Sequence, residues 1–419
     1  MTNTSCGCDS DAITSKFLKV EEALERIAQD LQAIEAEEQV AIRSGLGRIL
    51  AENVLSNINV PPHNNSAMDG YAVRAADLPK DGKLELPVIG TSFAGIPYTE
   101  TVQAGQCIRI FTGAVIPDGT DTVIMQEHVE RQGDIITIGA EHKLGQNVRP
   151  IGEDIKIGDT VLKAGKKLTP ADIGLLASLG IPEVKVKRRL RVAFFSTGDE
   201  LCAVGQVPKS GQIYDSNRYA LYGVLTRLGV ELIDMGVVRD TPEDIEKAFL
   251  SAANGNDAII TSGGVSVGDA DYVIETIRRI GKINFWKLAM KPGKPLTFGK
   301  IKNAVFFGLP GNPVSAMVTF YQFVQPALQH MMGQNKVTPI RIKVPCVSSL
   351  KKHPGRMDFQ RGILENDEQG RLVVRSTGKQ GSGILSSMSQ ANCFIILPVE
   401  SGNVAAGSEV LVEPFDGLI

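Results

Sequence analysis

The 419-residue chain is too long for one hydrophobic core, so two to four domains are expected. Its 43% hydrophobic and 22% charged residues are those of an ordinary globular protein. A net charge of −3 excludes a broad electrostatic attraction to nucleic acid or anionic membrane, so any anion site must be local.

The first dozen residues are polar and acidic, without the basic and apolar regions of a signal peptide, and no apolar run reaches membrane-spanning length. A cytoplasmic protein is expected. Cys6 and Cys8 fall short of the four ligands of a closed zinc site and read as part of a polar tail, while Cys107, Cys202, Cys346 and Cys393 are scattered as reduced thiols are. Apolar residues from Val20 to Ile34 recur at helical spacing, predicting a helix over roughly 16–34 with Ser15 available as a cap. The long polar loop from Asn59 to Asp69-Gly70-Tyr71 reads as a functional loop or as a domain crossover with a turn at Asp69-Gly70.

From about 84 to 139, Leu86–Gly90, Cys107–Phe111, Thr122–Gln126 and Ile135–Ile138 predict a small β domain, with Thr112-Gly113 ending its second strand. Thr169-Pro170-Ala171-Asp172 opens a helix that stops at Gly180. The basic run Lys185–Arg191 reads as a solvated linker or a phosphate contact.

Between 190 and about 332, strands predicted at Arg191–Ser196, Glu231–Val237, Ala258–Thr261 and Ala304–Phe307 alternate with helices at 216–228, 242–253, 271–280 and 313–330. That order implies a mainly parallel sheet with helices on both faces. Four loops follow these strands, starting Thr197-Gly198-Asp199-Glu200, Arg239-Asp240, Ser262-Gly263-Gly264 and Gly308-Leu309-Pro310. They belong on the edge where such sheets bind ligands. Glycines admit close main-chain approach, and Asp269 and Asp271 beside an anion-friendly loop suggest a divalent cation between carboxylate and phosphate. The alternative is a strand-to-helix turn with an aspartate cap. Lys287, Lys291 and Lys294 in the proline-rich loop from Phe285 to Pro295 supply point charges for an oxyanion, unless the loop is a solvated hairpin. Beyond 338, Val344–Val347, Asp358–Leu364, Leu372–Ser376, Cys393–Leu397 and Val410–Glu413 predict a C-terminal β domain. Its polar cluster from Lys351 to Arg356 either contributes positive charge or, by default, is a surface loop.

With these stretches in view, the chain resembles the molybdopterin molybdenumtransferases of the MoeA family, related to the E domain of gephyrin. The resemblance is carried by Asn65–Val73, Phe195–Leu201, Thr261–Gly268, Lys291–Pro295 and Gly308–Pro313. It implies a multidomain α/β plus β fold. Residues 1–55 and 153–187 would form a discontinuous N-terminal domain, 56–152 an inserted β domain, 188–337 a molybdopterin-binding α/β domain and 338–419 a C-terminal β-barrel-like domain. It implies a homodimer that takes adenylylated molybdopterin and molybdate as substrates and releases AMP with Mg²⁺. A molybdopterin adenylyltransferase and recipient molybdoenzymes would be partners, with no nucleic acid and no membrane. Asp69, Thr112, Asp154, Glu200, Asp240 and Asp271 would be catalytic, with Glu200, Asp240 and Asp271 holding the metal. Thr197, Gly198, Ser262, Gly263, Gly264, Lys287, Lys291, Lys294, Pro310 and Pro313 would hold substrate, the Ser262–Gly264 loop through backbone donors. Asp69 and Asp271 are expected to meet from different chains of the dimer. The alternatives are the adenylyltransferase activity itself and a non-catalytic cofactor scaffold.

Overall fold

The computed structural model describes residues 17–263 and 272–415. The expected cap Ser15, the Cys6/Cys8 pair, Gly264, Asp269 and Asp271 lie outside the described residues. The chain divides into two compact units, one of Gln39–Leu46 and Leu50–Lys185, the other of Met1–Glu38, Gly47–Ile49 and Val186–Ile419.

The first unit is built around a six-stranded sheet in the order Thr122–Met125, Gly70–Val73, Cys107–Ile110, Leu84–Ser92, Ile135–Ile138, Glu130–Gln132. Gly70–Val73 is buried along its whole length because apolar clusters form on both faces. Tyr71 and Val73 enter one with Leu86 and Ile124, and Ala72 enters the other with Ile108 and Val123. The helix Pro170–Ser178 starts as its sequence signals. The Thr169 hydroxyl accepts from the Asp172 N–H while the Asp172 carboxylate accepts from the Thr169 N–H, a reciprocal cap, and Gly180 takes φ 70° just beyond the end.

The second unit holds the α/β domain. Its elements in chain order are β1 (Arg191–Thr197), α1 (Ser216–Leu228), β2 (Glu231–Val238), α2 (Pro242–Ala252), β3 (Ala258–Ser262), α3 (Tyr272–Ile280), β4 (Gly281–Lys287), β5 (Pro295–Ile301), β6 (Ala304–Leu309) and α4 (Pro313–Thr319). The sheet order is β2-β1-β3-β6-β5-β4. Its first four strands are parallel, and β5 and β4 extend it antiparallel. Period-two alternation loads both faces. Val192, Phe194 and Ile260 face a core that includes Leu221 and Leu225 of α1, while Ala193, Phe195 and Ile259 face Phe249 of α2 and Ile277 of α3.

Two sequence expectations change. The segment expected as an extended loop from Phe285 begins as β4, paired with β5 from Gly281↔Ile301 to Lys287↔Pro295. Pro295 sits at the first position of β5, where a missing N–H is tolerated, and Leu296 and Phe298 enter the core. The helix expected over 313–330 does run to Met331, but Phe320–Val324 is a wider π turn between two α segments. Pro326 cannot donate to the carbonyl four residues back and its ring crowds it, which the extra residue of a π turn accommodates.

The C-terminal sheet runs Met290–Lys291, Met357–Asn366, Cys393–Leu397, Glu409–Pro414, Ile342–Pro345, with Leu372–Ser376 also paired to the long second strand. Phe359, Phe394 and Ile396 share the core of the α/β domain. The helix at the N-terminal end is Val20–Asp30, shorter than expected, and packs Val20, Ala23 and Ile27 into that same core. The basic run beyond it is neutralised locally. Arg188 makes two bonds of 2.9 and 3.0 Å to Asp257, Lys187 pairs with Glu37 and Arg191 with Glu231. No helix among the described residues is long and apolar enough to cross a membrane.

Phe249 is fully buried, with its ring edge-on to Phe195 at 5.1 Å and to Phe306 at 5.3 Å. Phe249→Ala removes the hub of that face and should cost about 3–5 kcal/mol, read as a lower urea midpoint at unchanged slope.

Candidate functional site

The carboxyl ends of β1, β3 and β6 open on a cavity of about 720 Å³, and the loop after β2 reaches it as well. Thr197 ends β1, Gly198 and Glu200 come from the loop after it, Asp240 from the β2 loop, Gly263 from the loop after β3, and Pro310 with Asn312 from the β6 loop. The edge predicted from the alternation of strand and helix is where the cavity lies.

Gly263 adopts φ 90°, and a Cβ there would stand 2.5 Å from the Thr197 carbonyl oxygen. Its N–H donates to the Leu309 carbonyl at 3.2 Å, so this residue serves the cavity by close main-chain approach and not as a free donor. Ser262 is buried, its hydroxyl accepting at 2.7 Å from Asn217 Nδ2, which also donates to the Gly311 carbonyl at 2.7 Å. Asn217, in the first turn of α1, thus ties the β3 and β6 loops together. The sequence shows only its place beside a helix cap, and nothing local signals this role.

The far wall is cationic. Met290–Lys291 pairs in parallel with Met357–Asp358 of the C-terminal sheet, and the Leu288 N–H donates to the Lys294 carbonyl at 2.7 Å, closing the Lys291-Pro292-Gly293-Lys294 loop. Leu18 lies in a parallel bridge with Leu288, its N–H donating to the Lys287 carbonyl at 2.9 Å and its carbonyl accepting from the Ala289 N–H at 2.8 Å, and Lys294 Nζ lies 5.1 Å from the centre of the Phe17 ring. Lys291, Lys294 and Arg356 all line the cavity. Of the two readings of the cluster from Lys351 to Arg356, positive charge and surface loop, Arg356 follows the first, while nothing in the sequence marks Gln380, Gly381 and Ser382 as cavity residues. The Val314 N–H of α4 donates to the Ser382 carbonyl at 3.0 Å, which draws that stretch to the cavity.

Opposite charge sits in the same space. Burial, and then the charges of Asp199 and Glu200, hold the Asp240 carboxyl above the usual range. Among the described residues no group of three His, Cys, Asp or Glu is placed to hold a metal ion. The crowded pair Glu200 and Asp240 nevertheless fits Mg²⁺, which keeps much of its water and is commonly held by one or two carboxylates together with substrate phosphate.

Other expected residues stand elsewhere. Lys287 ends β4 and Pro313 opens α4, and neither lines the cavity. Asp69, Thr112 and Asp154 belong to the first unit. There Asp69 Oδ1 accepts from the Thr112 N–H at 2.8 Å and the Thr112 hydroxyl at 2.7 Å, which joins two of the three. Asp154 is exposed and anchored by its N–H to the Val60 carbonyl at 2.9 Å.

Three family models match in order along the chain: the MoeA N-terminal region (domain I and II) over residues 18–180, a "Probable molybdopterin binding domain" over 193–330, and the MoeA C-terminal region (domain IV) over 343–415. Among curated proteins, a molybdopterin molybdenumtransferase of Haemophilus influenzae is 49% identical over 96% of this chain and 100% of its own length. A gephyrin of Dictyostelium discoideum is 36% identical over 97% of this chain and 63% of its own. Among solved structures, a molybdopterin biosynthesis moeA protein from Pyrococcus horikoshii OT3 superposes with a TM-score of 0.83 at 32% identity, over 96% of this chain and 100% of that one.

Two outcomes follow from the geometry. Gly263→Ala should cost about 1–3 kcal/mol in thermal or urea unfolding, because a Cβ cannot fit beside the Thr197 carbonyl at this φ. The Thr112 bonds hold the Asp69 carboxyl below its usual range. A folded value below the unfolded one means the pair stabilises above the unfolded value, and that contribution is lost as pH falls through the folded value. Thr112→Val should move the Asp69 carboxyl back toward about 3.9 in an NMR titration.

Proposed function

The chain belongs to the MoeA family of molybdopterin molybdenumtransferases, enzymes of molybdenum-cofactor biosynthesis, and on that premise we propose that it inserts molybdate into adenylylated molybdopterin with Mg²⁺-dependent release of AMP. The observation that carries this reading is a single cavity with both signs of charge. Lys291, Lys294 and Arg356 stand in it with Glu200 and Asp240, at the strand ends of a molybdopterin-binding fold.

Both substrates are anions, and they repel each other unless cations stand between them. Lys291 and Lys294 supply that charge from a loop closed by the Leu288–Lys294 bond, so little order has to be gained on binding. Gly198 and Gly263 leave room for the pterin phosphate against the main chain. Glu200 and Asp240 would hold Mg²⁺, which when bound neutralises the phosphoanhydride as it breaks. Asp271 completes that set in the proposal, from outside the described residues.

The homodimer, the cytoplasmic location, and hand-over from an adenylyltransferase to recipient molybdoenzymes belong to the same proposal and rest on the family resemblance. So does a functional part for Asp69, Thr112 and Asp154.

The test is AMP release by the purified full chain from adenylylated molybdopterin. Release should require molybdate and Mg²⁺, and Asp240→Asn should reduce it most at limiting Mg²⁺. Lys291→Ala should weaken substrate binding about ten- to a hundred-fold, the worth of one charge-assisted hydrogen bond. Tight pterin binding with no molybdate-dependent AMP would instead make the protein a scaffold, and ATP consumption with free molybdopterin would make it the adenylyltransferase.

A further inference from the structure

A second cavity of about 530 Å³ adjoins the first, sharing Lys291, Pro292, Gln380 and Gly381 as its wall. Arg361, Asp358, Gln360 and Lys351 line it from the C-terminal domain. Arg361 is 1% exposed, the largest fully buried side chain among the described residues. Its guanidinium donates through Nε to the Ser387 hydroxyl at 3.0 Å and through Nη2 to the Gly381 carbonyl at 3.2 Å. Both acceptors are neutral. They satisfy hydrogen bonds and leave the charge uncompensated.

One buried carboxylate is nearby, and it is shared. Asp358 is 3% exposed, stands 3.9 Å from Lys291 Nζ, and also feels Lys352, Arg356 and Arg361. Lys352 is itself buried, its ammonium bonded to the neutral carbonyls of His353, Val399 and Ser401. Four cations therefore surround this one buried carboxylate, with Lys351 as a fifth on the cavity wall and the exposed Glu400 as a second carboxylate acting on Lys352. The burial that opposes these charges is visible in each group: it pushes Arg361 down to about 10, lowers Lys352 and raises Asp358. An excess of positive charge beside a space of this size calls for a compact counter-charge.

We propose that the second cavity is a binding site for a small tetrahedral oxyanion dianion, held by Arg361 with Lys351 and Lys291 and distinct from the strand-end cavity. Gln380 fixes its rim, accepting from the Arg361 N–H at 2.8 Å and donating to the Arg361 carbonyl at 3.0 Å, so the wall between the cavities is rigid where Arg361 sits. Asp358 opposes anion binding and limits it, which keeps the ion exchangeable. The shared wall makes this the place where an incoming oxyanion waits beside the first cavity. That role, unlike the binding, rests on the function proposed above.

The experiment is tungstate binding to the purified full chain by calorimetry, with crystals soaked in tungstate to locate the metal by its anomalous signal. Two equivalents per chain are expected, one in each cavity. Arg361→Met should abolish the second-cavity peak and weaken that equivalent at least tenfold while the first remains. Asp358→Asn, which removes the opposing charge at constant shape, should tighten the second site about tenfold, a gain that a merely structural role does not produce. Sulfate should compete there, because charge and tetrahedral shape are what the site reads. Should Arg361→Met fold poorly, the exposed Lys351→Ala is expected to weaken the second equivalent several-fold with an unchanged melting temperature. One equivalent per chain, no peak in the second cavity, or an Asp358→Asn constant equal to wild type would each overturn the proposal. In turnover, Arg361→Met should raise the molybdate concentration for half-maximal AMP release without lowering the saturated rate. Because tungstate binding needs no turnover, failure of the proposed reaction and failure of this site give different results.

Discussion

Two residues of parallel pairing, Met290↔Met357 and Lys291↔Asp358, hold the cationic loop of the α/β domain in the sheet of the C-terminal domain. A further bond of 2.8 Å from the Met357 N–H to the Ala289 carbonyl extends the junction. Without it the lysine loop would be one more flexible connection, and its ammonium groups would lose much of their value in ordering entropy. With it, Lys291 stands at the boundary of two cavities and answers to a buried carboxylate. The common core on either side of the junction, where Phe307 and Phe320 join Phe359 and Phe394, gives the short pairing its rigidity.

The α/β framework was legible because its signals are local. Asp215 before the helix and Gly229 after it bound α1 at Ser216 and Leu228, with the Asp215 carboxylate accepting from the Arg218 N–H and Gly229 at φ 84°. The strand-end loops were legible for the same reason, each being an apolar run broken by glycine or an acid. The antiparallel edge was harder. Lysine and proline disguised β4 and β5 as a loop, and what makes them strands is burial of Leu296 and Phe298 against residues distant in sequence. Gln380 and Ser382 look like surface polar residues because nothing local announces the pairing that carries them to the cavity. The Thr112–Asp69 contact was anticipated only as two separate positions resembling those of a family.

The two signs of charge in the first cavity arise from different parts of the chain. Carboxylates come from loops that follow parallel strands, where helix N-termini already favour negative charge. Cations come from the lysine loop and the C-terminal sheet. The cavity therefore carries both signs only because the C-terminal sheet and the lysine loop are paired beside the strand ends.

The contact between Leu18 and Leu288 also bears on the order in which the molecule is made. Its partners are 270 residues apart (288 − 18), and the unit that includes Leu50–Lys185 lies wholly between them. During synthesis the stretch at Leu18 leaves the ribosome long before the stretch at Leu288 that it must bridge, while the intervening unit, compact in itself, can fold first. Closing so long a loop is among the slowest kinds of step in folding. The support beneath Lys294 is therefore among the last parts of the protein to be completed, and a nascent chain acquires its binding cavity only when most of its sequence is already in place.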